Sequence, residues 1–477
     1  MTLTPNHLPP VPALRGTPPF GALRELRADA LATFARAHAL HGDVVRLPVG
    51  PPGLRTDLYC VFSPAGVQQV LAADAAAFRK ESTFYEEIRH ALGNGLLTSQ
   101  DAEYLRQRRL VQPLFTPRRV DGYAGAIVHE VEGTLAAWAK APGETVDVGR
   151  EMTALALRAV TRILFGTDGD AVLGVVRRCF PVITGHVTAR AHAPVRLPRS
   201  LPTPGNRRAV AAMAELYGAC DAIVAERRRA ERTGGDAVPG TDLLTLLTEA
   251  GDEADEGAGG HEGHEGRAFD AAELRDQVLI FLLAGHETTA TSLTFALHLL
   301  ALHPAAQARA RAEVFDVLGP DRPPTAGDLD RLPYLTRVLK ESMRLYPAAP
   351  AIGRRSVTAL TVDGYPVPAD VDVVVSPWVT HRDPVLWPDP ERFDPDRFTP
   401  EAEAARPRYA WFPFGGGPRA CVGRHFSMLE AVLALAILLR AHEVEAVDRR
   451  VPVSAGITLR AEGPVRCRLT PVSRPAA

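Results

Sequence analysis

The residues best placed to do chemistry lie in one short stretch, 414–423, which has the sequence FGGGPRACVG. It sets one cysteine, Cys421, between a glycine-rich loop and an apolar run that ends at Leu439 and that we predict to be helical. Glycines let a backbone turn tightly and approach a flat object closely. A helix beginning after the cysteine directs its unpaired N–H groups and positive dipole end toward the sulfur. We therefore expect Cys421 to favour the thiolate, the form that binds metals.

A lone thiolate restricts the kind of metal centre that fits. Zinc and iron–sulfur sites take several sulfur ligands, and no second cysteine lies near Cys421 in the sequence. The pattern suits the fifth ligand of a haem iron, and Arg419 can pair with a further negative charge. The alternative is a buried free cysteine, which is common in protein cores.

The stretch resembles the cysteine loop of the cytochrome P450 family, F-x-x-G-x-R-x-C-x-G. Phe414, Gly417, Arg419, Cys421 and Gly423 occupy its fixed positions. The resemblance implies a mainly α fold, the cytochrome P450 fold, with a helical haem-binding core and small β-sheets. It also implies that Cys421 is the ligand to the iron of haem b (iron protoporphyrin IX). Five matched positions in order favour this interpretation over a free cysteine.

A second element, AGHETT at 284–289, lies inside an apolar run that we predict to be one helix over 271–303. Gly285 is unfavourable in a helix interior, and threonine can bond a preceding carbonyl and bend the helix. The pattern indicates a local widening where a small molecule docks. It resembles the family's A-G-x-[D/E]-T-T element, which implies that Glu287 relays protons and Thr288 hydrogen-bonds the bound oxygen. The alternative is a helix start with a capping threonine, but the apolar run continues on both sides.

A third element pairs Glu341 with Arg344, three residues apart on one face of a predicted helix. Apolar flanks suggest partial burial, where a charge pair needs further partners. The element resembles the family's E-x-x-R, which implies a third member from a downstream P-E-R-F-like motif. Two such motifs are present, containing Arg392 and Arg397, and the spacing to Cys421 favours Arg397. The implied role of this triad is structural, namely to hold the cysteine loop.

The two propionates of haem require cations. Tyr104 and Arg108, one helical turn apart, resemble the family's W-x-x-x-R with Tyr in place of Trp, which implies that both bind a propionate. Arg354 occupies the place of another propionate-binding arginine in a predicted strand, with Arg355 as the alternate, and Arg419 completes the set. The planar fork of arginine is well suited to carboxylates.

The composition is ordinary for a globular protein with a large core, with 477 residues, 46% hydrophobic and 23% charged. A net charge of -2 gives no strong attraction for nucleic acid. Five scattered cysteines favour a reducing compartment over a disulfide scaffold. The first fifteen residues are proline-rich and polar, without the ~20 apolar residues of a membrane helix. We therefore predict a cytoplasmic protein without a membrane anchor.

The elements that must position these residues are mostly helical. We predict an extended lead-in over 5–20, a helix over 23–39, a hairpin over 41–62, helices across 102–231 and at 242–250, 305–318 and 335–346, strands at 360–362 and 371–375, and a final hairpin of 457–460 with 465–469. Residues 251–266 are acidic and glycine-rich, which predicts a flexible loop. The spacing of His261 and His264 in it does not fit a zinc-binding helix. No linker divides the chain, so we predict a single domain over 1–477.

The family resemblance extends from Tyr104 to Cys421 and implies a haem-thiolate monooxygenase. Such an enzyme inserts one atom of O2 into a hydrophobic small molecule, by hydroxylation or epoxidation. Two electrons must come from outside, and the chain has no flavin or iron–sulfur motif. We therefore predict a separate ferredoxin or flavodoxin-type electron donor with its NAD(P)H reductase, docking at the basic surface beside Cys421.

Apolar residues predicted to line the substrate pocket are Leu97, Ala284, Ala351 and Ile352. The stretch 198–208 resembles soluble bacterial members that oxidise terpenoids and other natural products. Residues 284–289 also resemble the fatty-acid hydroxylases, which leaves that activity as an alternative. A peroxide-driven peroxygenase is a further alternative, although such members tend to lack the Glu287–Thr288 pair. A non-catalytic haem sensor or carrier is the alternative of another class, and a fused signalling domain would favour it.

Overall fold

The computed structural model of the protein describes residues 8–140, 143–165, 170–193, 195–233 and 269–472. Helices dominate these residues, and several begin at a proline, because the missing N–H of proline is not needed in a first helical turn. The helices are α1 (Leu23–Ala28), α2 (Ala30–His41), α3 (Pro64–Gln68), α4 (Thr83–Leu92), α5 (Asp101–Val111), α6 (Pro117–Asp121), α7 (Ala124–Trp138), α8 (Val148–Phe165), α9 (Asp170–Ala191), α10 (Pro204–Thr233), α11 (Ala271–Leu302), α12 (Pro304–Leu318), α13 (Pro333–Leu345), α14 (Pro377–Thr380), α15 (Pro400–Ala404) and α16 (Arg424–Ala441).

Short strands form small sheets beside the helices. The strands are β1 (Val44–Val49), β2 (Thr56–Val61), β3 (Phe78–Arg79), β4 (Thr145–Asp147), β5 (Ile352–Ser356), β6 (Leu360–Val362), β7 (Tyr365–Val367), β8 (Asp372–Val375), β9 (His442–Ala446), β10 (Val453–Ala455), β11 (Leu459–Ala461) and β12 (Arg466–Pro471). The largest sheet has the order β1-β2-β8-β5-β3, in which β2 and β8 are parallel and the other neighbours antiparallel. The mainly helical fold with small sheets that the sequence predicts is confirmed.

Near the N-terminus the structure confirms one predicted element and divides another. The hairpin predicted over 41–62 is present as β1 and β2, paired from Val44 and Val61 to Val49 and Thr56. The helix predicted over 23–39 is wrong as a single element, because Asp29 interrupts it in an extended conformation, with φ of -159°. Its carboxylate accepts a hydrogen bond from the Ala32 N–H and so caps α2.

The predicted final hairpin is wrong. Strand β11 pairs with β10, while β12 pairs with β4 on one side and β9 on the other. Gly463, with φ of +122°, turns the chain away between the two strands that we expected to pair. The buried side chains of β12, Cys467 and Leu469, pack into the main core. The predicted helix at 242–250 and the predicted loop at 251–266 lie outside the described residues.

Helix α11 occupies the centre of the protein and ends one residue before the predicted bound. Asp270 and Glu273 form a capping box at its start. From Thr289 to Ala301 every residue is buried, so this half of the helix is enclosed on all sides. The helix is long and apolar enough to cross a membrane, but 67% of its apolar window is buried within the protein, as expected for a core helix.

The carboxyl group of Glu430 is buried where α16 passes α11. Only 1% of the residue is exposed, and burial raises its pKa to about 8 from the usual 4.5, although the nearby Thr289 hydroxyl acts in the opposite direction. At neutral pH the folded protein therefore retains a proton here that the unfolded chain releases. As the pH rises from about 4.5 to 8, this group makes folding progressively less favourable.

We expect Glu430→Gln to remove this pH dependence while keeping the size of the side chain. The free energy of unfolding of the wild type should fall with pH in this window by at most about 1.4 kcal/mol per unit more than that of the variant. Denaturant unfolding at pH 5, 6.5 and 8 measures the difference. Equal slopes for the two proteins would show that Glu430 ionises normally in the fold.

Candidate active site

The cysteine loop is held by close contacts with the protein backbone. Gly417, in the short 3₁₀ helix Gly417–Arg419, has φ of +63°, and a Cβ there would lie 1.9 Å from the carbonyl oxygen of Leu71. A Cβ on Gly416 would lie 2.4 Å from the ring of Tyr409. Both positions therefore exclude larger residues. The two glycines let the loop pack closely against Leu71 and the Tyr409 ring. These contacts are with protein atoms, so they do not test our expectation that the glycines approach a flat ligand.

Cys421 follows this loop directly, and its N–H donates to the Phe414 carbonyl at 3.0 Å. Cys421 is exposed although protein atoms surround it densely, so it lines an internal cavity. Burial raises the pKa of the Cys421 thiol, while the Gly423 N–H and the charge of Lys80 lower it. Burial therefore opposes the effect that we expect from the loop and the helix dipole, and the preference of Cys421 for the thiolate stays a prediction.

Four cations surround this cavity without a carboxylate partner among the described residues. Lys80 is 8% exposed and donates to the Leu97 carbonyl at 3.2 Å, and Arg354 is 4% exposed. Arg419 donates to the Ser99 carbonyl and to Gln100, and its guanidinium lies 3.7 Å from the ring centre of Tyr104. The fourth cation is Arg108.

Burial and mutual repulsion act on these cations together. The pKa of Lys80 is held well below its usual value, first by burial and then by the charges of Arg354 and Arg419. Burial likewise lowers the pKa of Arg419 to about 10. Buried cations without counter-charges are unfavourable, so this arrangement favours a polyanionic ligand.

Sequence reasoning missed Lys80. The available signal was the rarity of lysine in this chain. Only three of its 54 basic residues are lysines, namely Lys80, Lys140 and Lys340.

The structure distinguishes the two candidates in β5. Arg355 is ion-paired with Asp370 at 2.8 Å and Asp372 at 3.3 Å, on the partly exposed side of the strand. Arg354 points the other way, into the cluster with Lys80 and Arg419.

Tyr104 and Arg108 contact the cysteine loop itself. The Tyr104 hydroxyl donates to the Pro418 carbonyl at 2.7 Å. Arg108 donates to the Tyr104 oxygen at 2.8 Å and to the Ala420 carbonyl at 3.0 Å. These bonds attach α5 to both sides of Arg419, so the pair positions the loop through its main chain.

The middle of α11 contains an accessible turn. Between 277 and 301 Ala284 is the one exposed residue, and Gly285, Glu287 and Thr288 are partly exposed. The Thr288 hydroxyl donates to the Ala284 carbonyl at 2.8 Å, as threonine in a helix often does. A Cβ on Gly285 would lie 3.2 Å from the Val160 side chain, so this glycine also permits close packing of α8 on α11.

The cysteine loop and α11 meet through Phe115. A Cβ on Gly423 would lie 4.0 Å from the Phe115 ring and 3.9 Å from the Cys421 sulfur. The Phe115 ring lies 5.5 Å from that of Phe281, one turn before the open part of α11. Phe115 therefore lies between the cysteine loop and the turn of α11 that precedes AGHETT.

Glu287 has a partner that sequence reasoning missed. Its Oε1 accepts from Arg460 of β11, with Nε at 2.6 Å and Nη2 at 2.5 Å. Its Oε2 is buried and makes no hydrogen bond among the described residues. The only sequence signal was an arginine at the far end of the chain, with nothing to indicate which acid it meets.

The structure brings the three members of the predicted structural triad together. Arg344 and Glu341 are fully buried, and Arg344 donates from Nε at 2.7 Å and from Nη2 at 2.8 Å to the two carboxylate oxygens of Glu341. Arg397 lies 3.5 Å from Glu341, whereas Arg392 is largely exposed and 3.7 Å from Asp394. The geometry therefore places Arg397, and not Arg392, next to the pair.

The residues predicted to line a substrate pocket do not form one group. Leu97 packs against the main core, and Ala284 is exposed on α11. Ile352 packs with the β-sheet cluster, where its Cδ1 lies 3.8 Å from a Cβ built on Gly415. Ala351 packs against the separate cluster formed by α1, α2 and β1, so its position does not support a direct place in the pocket.

A haem with two propionates requires an accessible sulfur and cations that, within the described part of the chain, have no carboxylate partner. Cys421 supplies the one sulfur, and Lys80, Arg354 and Arg419 supply the charges. The residues therefore fit this group.

Comparison with known proteins agrees with this fit. The family model described as Cytochrome P450 matches residues 9–461. Cyclooctatin synthase of Streptomyces melanosporofaciens is 38% identical over 407 residues, covering 85% of this chain and 83% of the relative. Cyclooctat-9-en-7-ol 5-monooxygenase of the same organism is 35% identical with the same coverage. The crystal structure of the heme domain of cytochrome P450DA has a TM-score of 0.85 and 27% identity, covering 98% of this chain and 99% of that one.

A match over nearly the whole chain, together with relatives above 30% identity, establishes the family. The predicted fold and activity are confirmed by these similarities. This chain belongs to the cytochrome P450 family and is a haem-dependent monooxygenase that uses O2, a hydrophobic substrate and a redox partner.

Proposed function

We propose that this protein holds haem b through Cys421 and hydroxylates or epoxidises a terpenoid or related carbocyclic natural product in the cytoplasm. Its electrons come from a separate ferredoxin or flavodoxin-type donor with an NAD(P)H reductase. The observation that carries the cofactor assignment is the accessible Cys421 beside cations that lack carboxylate partners in the described residues.

Residues of the cysteine loop and its neighbours would hold the cofactor. Cys421 would bind the iron, with the Gly423 N–H moderating the charge on the sulfur. Lys80, Tyr104, Arg108, Arg354 and Arg419 would bind the propionates, and Tyr104 and Arg108 also hold the loop through its main chain. Phe414, whose carbonyl accepts the Cys421 N–H, and the triad of Glu341, Arg344 and Arg397 would keep the loop in place. When bound, haem supplies the activation of O2 and the transfer of oxygen, and the protein contributes orientation and exclusion of water.

The open turn of α11 would manage protons. Thr288 already donates its hydroxyl proton to the Ala284 carbonyl, so its oxygen lone pairs remain for a second partner in the cavity. Glu287, whose side chain is mostly buried beside it, is the nearby carboxylate in AGHETT that can take up and release a proton. The presence of both groups favours use of O2 over use of peroxide.

We expect Thr288→Ala to divert electrons to hydrogen peroxide. Product formed per NAD(P)H consumed should fall roughly tenfold, the order of effect of one proton-handling group. Thr294→Ala is the matched control, because Thr294 makes the same bond to the Ala290 carbonyl on α11 but is buried in the core. Parallel measurement of NAD(P)H, product and peroxide checks this, and full coupling in Thr288→Ala would remove the role assigned to the hydroxyl.

The names of the relatives support the substrate class. Cyclooctat-9-en-7-ol, the substrate named for one of them, is a carbocyclic alkenol. The exposed Ala284 and the partly buried Leu97 provide small and apolar surface for such a molecule.

Two measurements test the proposal. The reduced, carbon-monoxide-bound protein should show the strongly red-shifted Soret band of thiolate-ligated haem, and the position of histidine-ligated haem would refute Cys421 as ligand. Turnover of cyclic terpenoids and terpenoid alcohols is then compared with that of fatty acids, with NAD(P)H and a ferredoxin system in one arm and peroxide in the other. If the protein converts fatty acids but no terpenoid, it is a fatty-acid hydroxylase. If it turns over only in the peroxide arm, it is a peroxygenase, and either result contradicts the proposed activity.

A further inference from the structure

Arg460 contacts Glu287 in an unsymmetrical way. Both guanidinium nitrogens converge on one carboxylate oxygen, Oε1, at 2.6 Å and 2.5 Å. The other oxygen, Oε2, is buried and has no hydrogen-bond partner among the described residues. The two oxygens of this carboxylate are therefore chemically distinct, since one is occupied by a permanent cation and the other keeps its lone pairs.

The guanidinium is fixed by its surroundings. Its central carbon lies 5.2 Å from the ring centre of Phe180 on α9, and Phe180 in turn meets the ring of His286 at 5.7 Å. Arg460 is 31% exposed and Glu287 12% exposed by side chain, so the pair is partly shielded from water. An ion pair in this setting orients its members more firmly than an exposed one.

The backbone that carries Arg460 is also attached to α11. The Thr291 hydroxyl donates to the Leu459 carbonyl at 3.2 Å, and the Leu459 N–H donates to the Ala348 carbonyl at 2.9 Å. Thr291 lies one turn after Glu287, on the same face of the helix. The β10–β11 hairpin and α11 are therefore joined at two successive turns, which sets where the arginine side chain begins.

We propose that Arg460 is a positioning residue for oxygen activation, holding Glu287 by Oε1 so that Oε2 is the atom that carries the proton. In each transfer an O–H bond of hydronium from solvent breaks as the Oε2–H bond forms, which leaves water, and the Oε2–H bond then breaks as the proton passes to an acceptor on the cavity side of α11. Arg460 donates hydrogen bonds throughout and is itself unchanged. This inference rests on the proton-relay role of Glu287 in the proposed function.

Three substitutions separate positioning from charge and from structure. Arg460→Met removes the charge at similar length, and Arg460→Lys keeps it. The single ammonium group of a lysine can also hold Glu287, because Arg460 contacts only one of the two carboxylate oxygens. Arg468→Met, an exposed arginine paired with Glu445 across β12 and β9, is the matched control.

Oxygen consumption is measured with excess ferredoxin, its reductase and NADPH, with cyclooctat-9-en-7-ol as the probe, in H2O and in D2O. We expect Arg460→Met to slow oxygen consumption roughly tenfold or more and to raise the solvent isotope effect, with KM little changed, because proton delivery becomes limiting. Arg460→Lys and Arg468→Met should stay within about twofold of wild type in rate and isotope effect. The rate of formation of the reduced carbon-monoxide complex reports electron entry and should be the same in all variants.

A second readout does not depend on turnover. Thermal unfolding of the substrate-free wild type, Glu287→Gln, Arg460→Met and the double variant forms a double-mutant cycle, and we expect the two changes to be non-additive. If Arg460→Met loses haem, Arg460→Gln replaces it in both experiments, since it removes the charge and keeps polarity.

The possible failures are distinguishable. If Glu287→Gln slows turnover and raises the isotope effect but Arg460→Met does neither, Arg460 does not position the relay and the proposed function stands. If Glu287→Gln itself behaves as wild type, the relay assigned to Glu287 fails and this inference fails with it. Additive unfolding shifts would show that the pair contributes nothing to holding the carboxylate.

Discussion

Replacing Cys421 by histidine is expected to abolish oxygenation while some haem remains bound. The thiolate is an anionic donor that pushes electron density to the iron and favours cleavage of the O–O bond, and neutral imidazole does not replace this. Lys80, Arg354 and Arg419 are unchanged in the variant, so the proposed propionate contacts persist. Product assays and the reduced carbon-monoxide spectrum of the purified variant check the result, with the Soret band moving to the position of histidine-ligated haem.

The control for this experiment is Cys220→Ala, which removes another buried cysteine, on α10 and distant in sequence from the loop. It should keep the red-shifted band and the activity, with only the loss of stability expected of a small cavity. A red-shifted band that survives in Cys421→His would mean that a different sulfur binds the iron, and the site built around this loop would be misassigned.

Replacing Arg344 by methionine is expected to destabilise the protein by about 3–5 kcal/mol, because it leaves the Glu341 carboxylate buried without its main partner. Arg344 also donates to the carbonyls of His381, Pro390 and Arg392, and these acceptors lose their donor too. Since whole domains are stable by only about 5–15 kcal/mol, we expect low soluble yield and poor haem incorporation. Denaturant unfolding of the protein that is recovered measures the change.

Matched variants identify the cause. Arg392→Met removes an exposed arginine from the neighbouring motif and should change stability by less than about 0.5 kcal/mol. Replacing Glu341 and Arg344 together by methionine should restore part of the loss, since no unpaired charge is then buried. If the single Arg344→Met variant unfolds at the wild-type denaturant concentration, the pair is not structural.

Much of the site follows from local patterns in the chain. Three motifs each combine a backbone conformation with chemically active side chains within a few residues: FGGGPRACVG, AGHETT and the Glu341–Arg344 pair. Their secondary structure and their order can therefore be predicted from the sequence alone. The interruption of the first predicted helix at Asp29 also has a local cause, because the residue is a strong N-cap that our periodicity argument overlooked. The single-domain organisation stays a prediction.

Long-range pairing is different, because nothing in a strand identifies its partner. The predicted hairpin of the last two strands is wrong, since β11 pairs with β10 and β12 pairs with β9 and β4. The partner β4 is distant in the chain, so the local sequence does not indicate it. Lys80 and Arg460 escaped sequence reasoning for the same reason. Neither belongs to a motif, and each becomes significant only through what the fold sets beside it.

The sequence by itself therefore identifies the chemically active residues, whereas the charges that surround them depend on the tertiary structure. The ligand sulfur, the acid and alcohol of α11 and the buried ion pair are recognisable from residue types and spacing, since helical periodicity and glycine conformations act over a few residues. Three features depend on packing between segments hundreds of residues apart. They are the identity of the cations beside Cys421, the arginine that holds Glu287, and the balance between burial and the helix dipole at the thiol. Charges interact through space and burial, so only the tertiary structure decides these.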